Sequence, residues 1–186
     1  MFGASPERPR MKITRTWSMP NKDTHKVAPI TKFITKYLEK SRVSIDPFAR
    51  DCGYATLTND LNPNTTAQYH MDSADFLDKV RGDGCNPDLV IFDPPYSPEQ
   101  MKRAYDSFGL KMGGTDALRT AGWKVEKDII EEMVSDNGIV LTFGWNSCGM
   151  GDKRGFEIIE ILLVCHGAGH HDTICMAEQR INSLFK

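Results

Sequence analysis

The sequence predicts an α/β fold built on a mostly parallel sheet with an antiparallel hairpin at one edge. Three observations carry that expectation. The apolar, β-branched runs "DLVIFD" (88–93) and "IVLTFGW" (139–145) read as central strands buried on both faces. Segments with apolar residues at helical spacing stand between the strand-like runs, as a parallel sheet with crossovers requires. Near the end, "FEIIEILLVC" (156–165) and "DTICMAE" (172–178) flank a "HGAGHH" turn and read as a hairpin.

Taken in order, residues 1–11 hold two prolines and no periodicity, and read as a loose tail. "VAPITKFITKYLEKS" (27–41) places Ile30, Phe33, Ile34, Tyr37 and Leu38 on one helical face. "RVSID" (42–46), "ATLTND" (55–60) and "AQYHMD" (67–72) read as short strands. "SADFLDKVRG" (73–82) opens on a helix-capping serine and closes on glycine, and "KVEKDIIEEMVSDNG" (124–138) is a second helix with a glycine stop. No repeat or linker divides the chain, so 1–186 is expected to be one domain.

Composition narrows the class. Hydrophobic residues at 40% and charged residues at 26% suit a globular protein, and net charge is only −2. Basic side chains gather early, at Arg8, Arg10, Lys12, Arg15, Lys22, Lys26, Lys32 and Lys36, as a solvated face or a phosphate-facing patch. The five cysteines are scattered without a C-x-x-C pair, which suits reduced thiols and a cytoplasmic location. No apolar run approaches the roughly 18 residues that span a membrane, and no signal-peptide core is present. "HGAGHHDT" (166–173) gathers His166, His170, His171 and Asp172, but it lacks metal-ligand spacing and is read as a site rim, with no metal expected.

Asp46, Asp60, Asp72 and Asp93 each close a predicted strand. In parallel sheets ligands bind outside the carboxyl ends of the strands, so four such carboxylates predict a crevice lined with acceptors. The last begins Asp93-Pro94-Pro95-Tyr96, a carboxylate followed by a stiffened turn and an aromatic ring.

On these residues the chain resembles the S-adenosylmethionine-dependent DNA amino-methyltransferases, which carry D-P-P-Y after an apolar strand and methylate an exocyclic amine of adenine or cytosine. The likeness is greatest to the small adenine-N6 enzymes of phages and prophages. It implies a Rossmann-like methyltransferase fold, S-adenosylmethionine as cofactor, and DNA as partner with the target base flipped out. An aromatic amine is a poor nucleophile because its lone pair is delocalised into the ring. The resemblance implies that the Asp93 carboxylate and the Pro94 carbonyl hold its hydrogens and take up developing positive charge. Pro94 and Pro95 would fix the backbone that aims the carbonyl, and Tyr96 would stack on the base.

Three further stretches carry the likeness. "IDPFARDCG" (45–53) matches the cofactor-binding strand and turn, implicating Asp46, Pro47, Phe48 and Ala49. "TNDLNP" (58–63) implies that Asp60, with Leu61, holds the ribose hydroxyls; "MDSADFL" (71–77) implies that Asp72, Ser73 and Ala74 meet the cofactor adenine. The upstream "RTWSMPNKDTHKVAPI" resembles the segment closing over the methionine end, implicating Trp17, Ser18, Met19, Pro20 and Asn21.

There are departures. The family's F-x-G-x-G turn is here Phe48-Ala49-Arg50-Asp51-Cys52-Gly53. Only about eight residues separate the first two strands, too few for the usual crossover helix. A second copy covering the bare face near Tyr54 as a homodimer, or the 27–41 helix folding over it, meets that need. Residues 97–122, with Lys102, Arg103, Lys111, Arg119, Tyr105 and Phe108, form a small target-recognition candidate or an ordinary helix and loop. D-P-P-Y does not choose between adenine and cytosine or between DNA and RNA, and a methyltransferase fold kept only for binding remains the rival of another class.

Overall fold

A computed structural model describes residues 11–167 and 169–181; residues 1–10, most of the expected tail, lie outside them. The strands are β1 (Lys12–Trp17), β2 (Ser44–Asp46), β3 (Leu57–Thr58), β4 (Leu89–Phe92), β5 (Ile139–Gly144), β6 (Phe156–Cys165) and β7 (Thr173–Arg180). The α-helices are α1 (Ala28–Leu38), α2 (Ser73–Gly82), α3 (Pro98–Ser107), α4 (Gly114–Arg119) and α5 (Lys124–Met133). The sheet order is β1-β6-β7-β5-β4-β2-β3, and only β7 runs against its neighbours.

The expected fold class is the one observed, with two differences of detail. β1 was not expected: it pairs in parallel with β6 from Lys12↔Glu160 to Trp17↔Cys165, so the hairpin lies one strand in from the edge. The third short strand does not form; residues 67–72 contribute a single bridge, Asn59↔Tyr69. The Asn59 side chain does the joining instead, donating to the Pro47 and Met71 carbonyls and accepting from the Met71 N–H.

Strand alternation sorts the core into two layers. Val90 and Phe92 of β4 face α2 and α5, joining Phe76, Leu77, Val80, Ile129, Ile130 and Met133. Leu89 and Ile91 face the other way, onto Ile30, Phe33, Ile34 and Tyr37 of α1. Helix α1 therefore supplies cover from within the chain where a β2–β3 crossover helix is missing, reaching Ala55 in that link. Tyr54 beside it is 39% exposed.

Asp72, not Ser73, caps α2: its Oδ1 accepts from the Ala74 N–H. Ser73 donates its hydroxyl to the buried Glu126 carboxylate. Ser97 caps α3 with Pro98 in the first turn, so the D-P-P-Y turn runs straight into a helix start.

The loop after β5 is held from below. Glu178 in β7 is 1% exposed, and its carboxylate accepts from the Met150 and Gly151 N–H groups at 2.8 and 2.9 Å. A Cβ on Gly149 would lie 1.9 Å from Glu178 Oε2. Gly149→Ala must break those bonds over a buried carboxylate, and is expected to cost about 2–3 kcal/mol. Urea denaturation checks this; a loss below about 0.5 kcal/mol refutes the clamp.

Candidate functional site

A cleft of about 500 Å³ opens at the carboxyl ends of β2, β3 and β4. Such a volume suits a cofactor-sized ligand. Its walls include Pro47, Phe48, Asp60, Leu61, Asp72, Ser73, Asp93, Pro94, Pro95 and Tyr96, so the structure brings together residues from four separate sequence stretches. Helix α3 and the segment after it close the far side with Gln100, Met101, Tyr105, Phe108, Arg119 and Trp123. The 97–122 stretch is thus two helices forming a cleft wall.

Asp46 ends β2 and is fully buried; Oδ1 accepts from the Phe48 N–H at 2.9 Å, while Oδ2 has no hydrogen-bond partner. Burial, with the Asp93 and Asp60 charges, pushes its carboxyl well above the ordinary range. Asp60 closes the adjoining turn, Oδ1 accepting from the Asn62 N–H and Oδ2 from the Arg50 N–H. Burial raises its carboxyl, and the two N–H groups oppose that. Asp60 lines the cleft, and each oxygen keeps acceptor capacity for a hydroxyl.

Arg50 explains the altered turn. Its backbone is left-handed, φ 52°, the conformation for which the family pattern has glycine. An arginine tolerates it here because the residue ties three segments: its N–H to Asp60, Nη1 to the Lys22 carbonyl at 3.0 Å, and Nη2 to Asp23 at 3.2 Å. The guanidinium turns away toward Lys22 and Asp23.

Asp72 does more than cap α2. Arg119 grips both its oxygens at 2.7 and 3.0 Å, and the same guanidinium pairs with Glu126 and rests on the Trp123 ring. Burial raises the Asp72 carboxyl, but Arg119 and the Ala74 N–H outweigh it and hold it below its ordinary value. Arg119 and the Ala74 and Asp75 N–H groups occupy most of its acceptor positions.

At the D-P-P-Y turn, the Tyr96 hydroxyl donates to Asp93 Oδ1 and meets the Thr24 hydroxyl at 3.3 Å. Burial and the Asp93 charge push the phenol well up, so it stays a donor. The Tyr96 ring meets Trp145 edge to face, centroids 5.6 Å apart, and His171 lies 4.4 Å from Trp145.

Other predicted positions fall outside the cleft. Trp17 and Ser18 end β1, Trp17 61% exposed and Ser18 bonded to the Cys165 carbonyl; Met19 is exposed and Pro20 half-buried. Asn21 braces the next turn through the Asp23 N–H. Lys22 and Thr24, slightly later, line the cleft instead. Ala49 lines a smaller neighbouring cavity, and Ala74 contributes its N–H to Asp72. In the histidine stretch, both His166 ring nitrogens are engaged, with the Ser18 carbonyl and the Thr173 hydroxyl. Sequence reasoning missed His25, which lies between Asp46 and Asp93; no spacing marks it, and only its burial does.

Comparison with solved structures bears on the fold. TrmN from Thermus thermophilus matches with a TM-score of 0.53 at 11% identity, covering 83% of this chain and 49% of that one. NSun6 from Pyrococcus horikoshii, solved with SFG, gives 0.52 at 11%, covering 81% and 51%. A SAM-dependent methyltransferase from Agrobacterium tumefaciens gives 0.51 at 11%, covering 81% and 60%. This is the methyltransferase fold. The chain spans about half the length of the first two of these structures. No family model matches it, and no curated protein sequence does. Among the described residues, no helix is long and apolar enough to cross a membrane.

The donor set fits a nucleoside carrying a charged side chain: carboxylates at Asp60 and Asp72, apolar walls at Phe48, Leu61 and Met71, and acceptors at Asp93. Asp60→Ala is expected to weaken S-adenosylmethionine binding about tenfold to a hundredfold, the loss of charge-assisted hydrogen bonds. Calorimetry reads this directly; unchanged affinity would remove Asp60 from the cofactor site.

Proposed function

We propose that this chain transfers a methyl group from S-adenosylmethionine to an exocyclic nucleobase amine, the N6 of adenine in DNA. The observation that carries the proposal is the Asp93 carboxylate at the end of β4, opening on the cleft with one oxygen already receiving a hydrogen-bond donor, the Tyr96 hydroxyl. The amine of a flipped base presents the same kind of donor to the same oxygen.

When bound, the cofactor supplies a methyl group already activated on a positively charged sulfur. Asp60 holds its ribose, and Asp72, with Ser73 beside it, receives its adenine amine. Asp93 and the Pro94 carbonyl accept the two amine hydrogens of the base, drawing the nitrogen lone pair out of the ring. Asp93 is placed to take one of those protons when the nitrogen gains its methyl group. Tyr96 leaves Asp93 and stacks on the base, with Trp145 beside it. Lys22 and Arg103 around the cleft supply positive charge for phosphates.

Incubation with labelled S-adenosylmethionine and unmodified DNA, followed by nucleoside mass spectrometry, tests the proposal. N6-methyladenine is the expected product. N4-methylcytosine would move the target base, modification of RNA alone would move the polymer, and cofactor binding without any transfer would favour a binding module.

A further inference from the structure

His25 lies beneath the cleft, between carboxylates at the ends of neighbouring strands β2 and β4. The 3-10 turn Thr24–Lys26 carries it there, and the Thr31 hydroxyl, donating to the His25 carbonyl at 2.6 Å, fixes that turn on α1. The side chain is 4% exposed and packs on Phe143 and Tyr54, with ring centroids 5.5 and 6.4 Å away. Nε2 stands 3.5 Å from Asp93 Oδ2, and Nδ1 stands 3.9 Å from Asp46 Oδ2. Neither Nε2 nor Asp46 Oδ2 has a hydrogen-bond partner. An unpartnered buried imidazole nitrogen is costly, so its direction toward a reactive carboxylate is informative. A cavity of about 20 Å³ bounded by His25, Asp93, Ala49 and Cys52 leaves room for the ring to close on Asp93. Catalytic hydrogen bonds are often long before substrate arrives.

We propose that His25 is a positioning residue for Asp93, its Nε2–H holding Oδ2 so that Oδ1 is turned to receive the substrate amine. The proposal rests on the methyl-transfer reading above and deepens it. The two oxygens of Asp93 are then divided, Oδ2 to His25 and Oδ1 to the donor now supplied by Tyr96. Burial lowers the His25 imidazole, against the pull of Asp93, so the ring is neutral and has a single N–H to give. Burial pushes the Asp46 carboxyl well up, which favours a form able to present an O–H toward Nδ1. A donor on that side leaves Nε2 as the nitrogen that carries the imidazole proton. The result is a chain from Asp46 through His25 to Asp93 that keeps Asp93 an acceptor of fixed orientation.

A packing role makes the opposite forecast, because Phe143 and Tyr54 suit any ring in this place. His25→Phe keeps a ring and removes the donor; His25→Gln loses the ring and returns an amide N–H near Nε2. Single-turnover methylation is expected to fall about a hundredfold in His25→Phe and less than about tenfold in His25→Gln, with cofactor affinity in both within about threefold of wild type. His25→Phe as active as His25→Gln, or more so, overturns the proposal; His25→Leu replaces His25→Phe if that variant does not fold. A readout without turnover comes from proton NMR of the ligand-free chain. The His25 Nε2 proton is expected as a downfield, slowly exchanging resonance that moves or disappears in Asp93→Asn. Indifference to Asp93→Asn overturns the pairing. That resonance in a wild type that transfers no methyl group would sink the methyl-transfer reading and leave the pairing standing.

Discussion

Asp93→Ala is expected to lower methyl transfer by about a thousandfold or more, the scale set by removing a group that stabilises developing charge. The chain should still fold, because the Asp93 side chain lies at the cleft rather than in either apolar layer. Tyr96 keeps its contact with the Thr24 hydroxyl when the carboxylate is gone. Cofactor binding should survive, since Asp60 and Asp72 sit on other elements. The separation is the diagnostic part: activity lost, cofactor affinity within about threefold, and thermal midpoint within a few degrees. Methylation within tenfold of wild type removes Asp93 from the reaction.

Arg119→Ala should have the largest effect on stability. Glu126 is fully buried, and its ion-pair partner is Arg119, which also spans Asp72. Removing one partner of a buried pair costs about 3–5 kcal/mol. Arg119 is one-quarter exposed, which places the expectation near the lower end, about 3 kcal/mol. The effect should depend on acidity. The Asp72 carboxyl is held below its ordinary value of 3.8, so its contribution is present above that value and lost as pH falls through the lower folded-state value. Wild type and variant stabilities should therefore converge in acid. Urea titrations at neutral pH and near pH 3 check both parts; equal losses at the two would mean that Arg119 acts through packing alone.

The legible parts of the fold were those whose signal is local. Strand β4 reads from four consecutive apolar residues, and α2 reads from its start and stop signals, although Asp72 rather than Ser73 caps it. Strand β1 did not, because Lys12, Thr14, Arg15 and Thr16 carry no strand-like apolar alternation and Ile13 and Trp17 remain exposed; only the edge of β6 makes it a strand. The site divided in the same way. Asp93 to Tyr96 are adjacent and announce themselves, as does the order of Asp46, Asp60 and Asp72. His25 and Arg119 act through partners from other segments, and nothing beside them in sequence points to those partners. Trp17 to Asn21 lie near the right segment, but pairing of β1 with β6 carries them away from the cleft, which Lys22 and Thr24 then reach.

The pairing of β1 with β6 also orders events during synthesis. A strand made before the rest of the sheet finds its partner only once residues 160–165 have been made. Until then the backbone N–H and C=O groups of β1 lack their β6 partners and are open to other nascent chains. The inner sheet from β2 to β5 can assemble without it, and β7 must insert beside β5 before β6 presents an edge. Closure of the last strand is thus a late, long-range step with a high loop-closure cost. Truncating the chain before residue 156 should leave the ribosome-bound product with β1 accessible to protease, and release of the full chain should protect it.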